Sequence, residues 1–289
     1  MSILLKNARY VLSSIWREPS NRGQRVKRVL QFFGWQFWKR AVRMPVVVEL
    51  FNGHKFRAYP DCQMSAGAIY TRIPDSQDIL YLRKHIRQGT LIDAGANVGL
   101  VTLLLADRIQ HALLFEPNPL AAERARDNLA LNGLRFEVHE VALSDRIGTV
   151  EFEDEGGVSS CNRTVVGFTT SAPTRMVPCT QLDRFLADRV LPYPVSAIKI
   201  DVEGHENSVL RGMAECMRHH RPRVVMFEYL QRTNLRETIG LFQDAGYTVL
   251  QLAPGGAVIA TADVQPLQDL FACPNELRQE FTSDNTRNS

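Results

Sequence analysis

Short apolar segments rich in β-branched residues alternate with helical patterns from residue 90 onward. The segments TLIDAGANVG, HALLFEPNP, VSAIKIDVEG and RPRVVMFEY each begin as an apolar strand and end in polar or turn-forming residues. A helical pattern follows each of them, such as VGLVTLLLADRI after the first. This alternation is typical of parallel strands joined by crossover helices. The sequence therefore predicts an α/β domain over residues 88–275, built on a mostly parallel sheet.

Two segments of this domain depart from the alternation. RFEVHEVAL is a further strand, but residues 145–190 are rich in β and turn residues, which predicts inserted hairpins instead of a crossover helix. TVLQL and AVIA flank Pro254-Gly255-Gly256 and predict a closing antiparallel pair. Residues 276–289 form a polar tail, and we expect its last ten or so residues to be frayed.

Residues 1–87 form a separate N-terminal helical and hairpin region. Residues 24–42 predict a helix, because apolar residues recur in steps of three and four and form one stripe: Val26, Leu30, Phe33, Phe37 and Ala41. Phe32, Trp35 and Trp38 fall off that stripe. Two β-rich runs then surround Asn52-Gly53, which predicts a hairpin, and the helical pattern SQDILYLRKHI leads into the main domain.

A glycine-containing turn follows the first strand of the main domain, in Asp93-Ala94-Gly95-Ala96-Asn97-Val98-Gly99. Gly95 and Gly99 allow a tight turn and close approach of a ligand to the backbone. Asn97 occupies the position of the second glycine in a dinucleotide-binding GxGxxG loop, and its side chain disfavours a pyrophosphate. The loop therefore favours S-adenosylmethionine, which has no phosphate, over NAD. We expect Asp93 to help meet the ammonium group of that cofactor.

An acidic residue ends the second strand, where the ribose of a nucleoside cofactor is commonly bound. Glu116 stands about 20 residues after the glycines, and its carboxylate can accept the protons of both ribose hydroxyls. Pro117 and Asn118 follow, and Asn118 is a suitable N-cap for the next helix. We therefore predict that Glu116, Pro117 and Asn118 contribute to cofactor binding.

The segment IKIDVEGHE places several ionisable residues at the carboxyl end of a buried strand, where open α/β sheets bind ligands. His205 is the first candidate for the general base, because its unperturbed pKa is nearest neutrality. Asp201 or Glu203 would orient it or take the proton directly. In an alternative mechanism, Mg²⁺ is bound by Asp201, Glu203 and Glu228 and polarises the acceptor hydroxyl. Glu206 also fits a plain structural role, as an acid in the first turn of a helix.

DAGANVG, FEPNP, VALSDRIGTVEF and IKIDVEGHE, in this order and spacing, resemble the FkbM-type methyltransferase family. The resemblance implies a Rossmann-like methyltransferase fold with a mostly parallel seven-stranded sheet whose last strand is antiparallel. It also implies S-adenosylmethionine as cofactor and O-methylation of sugars, glycolipids or polyketide-type products.

The resemblance also implies roles for individual positions. Asp93, Gly95, Asn97 and Gly99 match the donor loop, Glu116 the ribose acid, Ala142 and the residues up to Asp145 the adenine side, and Asp201, Glu203 and Glu206 an acidic motif. The sequence thus favours an O-methyltransferase acting on a hydroxyl of a carbohydrate, a glycolipid or a secondary metabolite. A non-catalytic module that binds the same cofactor is one rival. An NAD-dependent oxidoreductase, which Asn97 opposes, is the other.

The N-terminal segment is strongly basic. Residues 1–44 contain ten Lys and Arg, a single acid at Glu18, and all three tryptophans. Peripheral contact with an anionic membrane is one interpretation, which suits a lipid-linked acceptor. A helical cap with solvated charges is another. Nucleic-acid binding is the least favoured, because phosphate contact does not need aromatic residues.

Two further features bear on location. Lys6 and Arg9 interrupt the apolar start of the chain, which excludes the continuous apolar core of a signal peptide, and no apolar run is long enough to span a bilayer. The five cysteines show neither a CxxC pair nor a zinc-ligand spacing. We therefore expect reduced thiols in a cytoplasmic protein, with the membrane surface as an alternative location.

Overall fold

The computed structural model describes residues 2–153 and 173–283, and the backbone alone of residues 2–8, 10 and 63. The described strands are β1 (Val46–Glu49), β2 (Lys55–Ala58), β3 (Thr90–Ala94), β4 (His111–Phe115), β5 (Glu137–His139), β6 (Ala142–Leu143), β7 (Gly148–Glu153), β8 (Thr174–Thr180), β9 (Val195–Ile200), β10 (Val224–Tyr229), β11 (Tyr247–Ala253), β12 (Gly256–Ile259) and β13 (Gln268–Pro274). The described helices are α1 (Ser2–Arg17), α2 (Arg25–Ala41), α3 (Gln63–Tyr70), α4 (Ser76–His85), α5 (Leu100–Leu105), α6 (Pro119–Ala130), α7 (Leu182–Leu186), α8 (Glu206–Arg211), α9 (Ala214–His219), α10 (Leu235–Asp244) and α11 (Arg278–Thr282).

The main sheet has eight strands in the order β12-β11-β13-β10-β9-β3-β4-β5. The strands from β10 to β5 run parallel to one another, and β13 lies antiparallel between β10 and β11. The expected Rossmann-like α/β fold with an antiparallel last strand is therefore confirmed. The sheet has eight strands instead of the expected seven, because β12 adds an edge strand to β11.

The central strands of the main sheet are completely buried, in keeping with their apolar composition. Every residue of β3, β4 and β9 is buried, as expected for parallel strands covered on both faces by helices. A second, small sheet in the order β6-β8-β7 follows β5. It agrees with the inserted hairpins predicted for residues 145–190, although residues 154–172 of that insertion lie outside the described residues.

The N-terminal hairpin is attached to the main domain by two asparagines, one in α6 and one just after it. β1 and β2 pair antiparallel around Asn52-Gly53, as the sequence predicts. Asn132 Oδ1 accepts a hydrogen bond from the Lys55 amide at 2.7 Å, and Asn128 Oδ1 accepts one from the Arg57 amide at 2.7 Å. Backbone donors of β2 that no strand pairs are thus satisfied by side chains.

Helix α2 turns its predicted apolar stripe away from the protein. Phe32 and Trp35, each 5% exposed, form its buried face instead. The Phe32 ring packs edge-to-face on Tyr70 of α3, with 5.2 Å between the centroids. The two aromatic rings that fall off the predicted stripe therefore make the packed interface, and the stripe faces outward. None of the described helices combines the length and apolar character needed to cross a bilayer.

The C-terminal end of the described chain is folded onto the sheet. Phe281 of α11 is fully buried, and its ring stacks on His85 with 3.9 Å between the centroids. This packing corrects the expectation of fraying for the residues up to 283, because one large apolar ring is enough to dock the short helix. Residues 284–289 of that predicted tail lie outside the described residues.

The turn after β3 passes very close to the end of β9. Gly95 has a φ of +75°, and a Cβ atom at this position would lie 1.8 Å from the carbonyl oxygen of Asp201. Gly99 has a φ of +77°, but its Cβ would find only ordinary contacts, the nearest with Ala125 Cβ at 3.5 Å. Both positions favour glycine for their left-handed conformation, and Gly95 also requires it for space.

This difference predicts unequal effects for two matched substitutions. Gly99→Ala carries only the conformational penalty and is expected to lower the free energy of unfolding by about 1–2 kcal/mol. Gly95→Ala also forces the β3 turn away from β9 and is expected to cost at least about 3 kcal/mol. Urea unfolding of both variants measures the difference, and equal losses would contradict the close approach of Gly95 to Asp201.

Candidate active site

The glycine turn and the end of β4 meet in a single arrangement. The Asn97 amide donates to Glu116 Oε2 at 2.8 Å, and Asn97 itself has a φ of +49°. Its side-chain Oδ1 accepts a hydrogen bond from the next amide, that of Val98, at 2.8 Å. A left-handed non-glycine residue is costly unless such contacts hold it. The two strand ends that the sequence singles out are therefore brought together.

Glu116 is fixed on both sides by backbone donors. The Asn118 amide donates to Glu116 Oε1 at 2.8 Å, and Asn118 Oδ1 in turn caps α6 by accepting from the Leu120 amide at 3.0 Å. Pro117 lies between them as a half-buried link. Burial raises the pKa of Glu116 to about 7, although hydrogen bonds from the Asn118 and Asn97 amides oppose the rise. A buried carboxylate with free lone pairs suits a ligand that offers a pair of hydroxyl groups.

Lys199 of β9 links the end of its own strand to the glycine turn after β3. Its Nζ donates to the Gly95 carbonyl at 2.8 Å and lies 3.3 Å from both Asp93 Oδ1 and Asp201 Oδ2. Burial disfavours its ammonium group, but Asp201 and Asp93 outweigh this and raise the pKa of Lys199. Lys199 is therefore a buried cation that fixes the turn.

The structure corrects the role expected of Asp93. Its side chain is fully buried, with Oδ2 accepting a hydrogen bond from Thr102 Oγ1 at 2.6 Å and Oδ1 beside Lys199. Both oxygens are thus engaged inside the protein, so Asp93 supports the turn from beneath and does not reach a ligand's ammonium. Gly95, Asn97 and Gly99 occupy the turn itself, as the sequence predicts.

Three carboxylates converge at the ends of β9 and β10. One oxygen from each of Asp201, Glu203 and Glu228 lies within 4.8 Å of the others. Burial, followed by repulsion from Asp201 and Glu203, raises the pKa of Glu228 to about 9. Glu228 therefore carries a proton at neutral pH in the absence of an additional cation. We call Asp201, Glu203 and Glu228 the acidic cluster.

Further carboxyl groups face the acidic cluster from segments that sequence reasoning does not connect with it. Asp269 of β13 is opposite Glu228 in the sheet. Burial raises the pKa of Asp269 well above its usual range, and Asp78 and Asp201 add to the effect. Burial likewise raises the pKa of Asp78 on α4 to about 6, with Asp75 adding to it. The only sequence signal for Asp269 is an acid at the start of an otherwise apolar strand, QDLFACP.

His205 lies apart from the acidic cluster. It is 3% exposed, and its Nε2 lies 3.0 Å from Ser144 Oγ, while Nδ1 has no hydrogen-bond partner among the described residues. Burial lowers the pKa of His205 to about 4, although Asp145 opposes the change. No hydrogen bond between described residues joins this ring to Asp201 or Glu203, so the geometry does not support His205 as the general base.

The remaining predicted residues have mainly structural contacts. Glu206 is fully buried, and its two oxygens accept from the Gly204 amide at 2.8 Å and from Thr233 Oγ1 at 3.1 Å. It therefore stabilises the turn between β9 and α8. Ala142 is buried in β6, where it pairs with Cys179, and its proposed contact with an adenine ring stays a prediction.

A cavity of about 320 Å³ lies between the N-terminal region and the beginning of α5. Its wall is mostly apolar, with two carboxyl groups, those of Glu18 and Asp75. The lining residues come from α1, α3, the Pro74-Asp75 turn and Leu100, which directly follows Gly99. Burial, with the charges of Asp201 and Glu18, raises the pKa of Asp75. The cavity thus adjoins the end of the glycine turn, and its Asp75 is near enough to Asp201 to be affected by that charge.

Comparison with known proteins identifies a family and a curated relative. The family described as Methyltransferase FkbM domain matches residues 93–249, more than half of the chain. A curated relative, the hexuronic acid methyltransferase AglP of Haloferax volcanii, is 26% identical over 198 residues, which cover 66% of this chain and 78% of the relative.

Two solved structures are also similar. An rRNA methylase from Streptococcus thermophilus is 14% identical, covers 70% of this chain and 96% of its own, and has a TM-score of 0.42. The 16S rRNA N2 G1207 methyltransferase RsmC of T. thermophilus, in complex with AdoMet and guanosine, is 14% identical over 80% of this chain and 50% of its own, with a TM-score of 0.44.

The family match and the curated relative show that the chain is a methyltransferase, and the family uses S-adenosylmethionine. The chain belongs to the FkbM methyltransferase family, because the family match extends from Asp93 at the glycine turn to Val249 in β11. The resemblance found in the sequence is thereby confirmed. The rival of an NAD-dependent oxidoreductase and that of a non-catalytic module are both set aside.

If Glu116 holds the ribose, cofactor affinity is expected to depend on pH. The carboxylate accepts hydroxyl protons only when ionised, so the affinity for S-adenosylhomocysteine falls as pH drops through about 7. Glu116→Gln should weaken binding roughly 10- to 100-fold and flatten this dependence. Calorimetry between about pH 6 and pH 8 measures both effects.

The matched control for this experiment is Glu123→Gln, which changes an exposed acid on the same helix that Asn118 caps. It is expected to retain the affinity and the pH dependence of the unaltered protein. A pH-independent affinity in the unaltered protein would assign the ribose to another residue.

Proposed function

We propose that the chain methylates a hydroxyl oxygen of a carbohydrate, a glycolipid or a secondary metabolite. The observation that carries the proposal is the acidic cluster beside the glycine turn, since a hydroxyl acceptor must lose a proton as it is methylated. A carbohydrate acceptor is supported by the name of the Haloferax volcanii relative, a hexuronic acid methyltransferase. When bound, S-adenosylmethionine supplies a methyl group that its sulfonium already activates.

Asp201 is the proposed proton acceptor. Its side chain is 39% exposed, so an acceptor can reach its carboxylate. The Glu203 carboxylate, in contrast, faces Arg232 at 3.2 Å. The Lys199 ammonium lies 3.3 Å from Asp201 Oδ2 and holds this carboxylate in place. Glu228, whose pKa is raised to about 9, is protonated at neutral pH and would donate a hydrogen bond.

The acceptor site is proposed to be the cavity beside the glycine turn. Its apolar wall suits the carbon face of a sugar ring or a lipid chain, and its carboxyl groups suit hydroxyl donors. Because α1, α3 and the Pro74-Asp75 turn build most of that wall, the N-terminal region is proposed to select the acceptor. Glu116, Pro117 and Asn118 are proposed to bind the ribose, with Asn97 and the two glycines of the turn beside them.

The proton-transfer role predicts a large loss of turnover in Asp201→Asn. The amide cannot accept the proton, so kcat should fall about 10²- to 10⁴-fold while the affinity for S-adenosylhomocysteine is retained. Single-turnover kinetics with a hexuronic acid glycoside and calorimetry separate the two quantities. The control is Asp188→Asn, at a side chain 87% exposed, which should leave both unchanged. Near-full turnover in Asp201→Asn would remove Asp201 as the base.

A divalent cation is the second candidate for activating the acceptor, because the oxygens of the acidic cluster are close enough to share one. We propose instead that Lys199 supplies the positive charge this cluster needs, so that treatment with EDTA leaves turnover unchanged. Activity is measured before and after chelation, with Mg²⁺ added back. A loss that Mg²⁺ restores would favour the metal mechanism.

A further inference from the structure

Helix α2 presents a continuous apolar face to solvent. Val26, Leu30, Phe33 and Phe37 are 68%, 66%, 56% and 69% exposed. They lie three or four residues apart, so they share one side of the helix. From Val26 to Phe37 the face is about 16 Å long, at 1.5 Å per residue. We call these four residues the outer face of α2. Four adjacent exposed large side chains are unusual on a protein surface and mark a site of interaction.

The surroundings of the outer face are positively charged. Exposed cations flank it at Lys27 and Arg40 on the helix, and at Arg22 and Arg43 just beyond its ends. The sequence contains no acidic residue between Glu18 and Glu49. An apolar strip bordered by cations is complementary to an anionic lipid surface, which offers hydrocarbon below and negative headgroups around it.

The opposite face of α2 is fixed to the protein. Phe32 and Trp35 are buried, and Gln36 Nε2 donates to the Tyr70 hydroxyl at 2.8 Å. Rotating α2 to bury the outer face would remove these contacts and expose two large aromatic rings. The outer face is therefore a stable feature that needs an external partner.

We propose that the outer face of α2 docks on an anionic lipid bilayer, with its apolar residues in the interface and its cations against the headgroups. Exposed Trp16 on α1 and Trp38 on α2 are suited to the same boundary. A second copy of the chain is a poorer occupant, because a two-fold contact through this face would set cations against cations.

Docking would also orient the proposed acceptor site. Tyr70 accepts the hydrogen bond from α2 and lines the cavity, so one residue of α3 joins the two. It follows, on the basis of the proposed function, that a lipid-linked acceptor is taken up from the membrane on which α2 is docked. The docking itself does not depend on methyl transfer.

The test is flotation of the full chain with vesicles of equal parts phosphatidylglycerol and phosphatidylcholine, without cofactor or acceptor. We expect binding to these vesicles that weakens with salt, and little binding to pure phosphatidylcholine. Phe33→Ser combined with Phe37→Ser should lower the partition coefficient roughly 100-fold. Lys27→Gln and Arg40→Gln should each lower it about fivefold.

The matched control combines Val190→Ser with Leu267→Ser, two apolar residues that are 97% and 71% exposed outside α2. It should bind vesicles like the unaltered chain, and circular dichroism checks that every variant is folded. Equal binding by the Phe33/Phe37 variant and the control would overturn the proposal. So would an absence of vesicle binding together with a dimer in sedimentation that the Phe33/Phe37 variant abolishes. Methyl transfer to a water-soluble acceptor tests the proposed function separately.

Discussion

The buried ammonium group of Lys199 is the interaction on which the site depends. Asp93 is completely buried, and an unpaired carboxylate in that position would be strongly destabilising. Lys199 neutralises it from the neighbouring strand and at the same time binds the Gly95 carbonyl and approaches Asp201. One cation thus fixes the end of β3 against the end of β9. The glycine turn and the acidic cluster keep their relative positions because both are attached to it.

Much of the fold follows from the sequence because buried parallel strands have a clear composition. The segments containing β3, β4, β9 and β10 are all predicted, since each is an apolar run followed by polar or turn-forming residues. β13 lacks this pattern. It pairs with β10 and β11, and these strands become its neighbours only when the chain folds. The docking of Phe281 is equally non-local, because its partners Tyr81 and His85 lie some two hundred residues earlier.

The candidate site likewise has residues that the sequence predicts and residues that it does not. Glu116 and the turn at Gly95 are predictable because the carboxyl ends of parallel strands meet at one edge of the sheet. The orientation of a side chain at that edge is not predictable in this way. Asp93 belongs to β3 and is directed into the core, and His205 enters a buried contact with Ser144. Asp75, Asp78 and Asp269 are missed because their segments reach the edge only through tertiary packing.

Asn128 gives the two parts of the chain a common boundary. Its side chain is fully buried, accepts a hydrogen bond from the Arg57 amide of β2, and donates one to the Val98 carbonyl in the glycine turn at 2.9 Å. A chimera that exchanged the N-terminal region with that of a relative would leave the side-chain oxygen of Asn128 to find a new donor, while its amide group kept the Val98 carbonyl. The region that is proposed to choose the acceptor has therefore to be inherited together with α6, the helix that contacts the glycine turn.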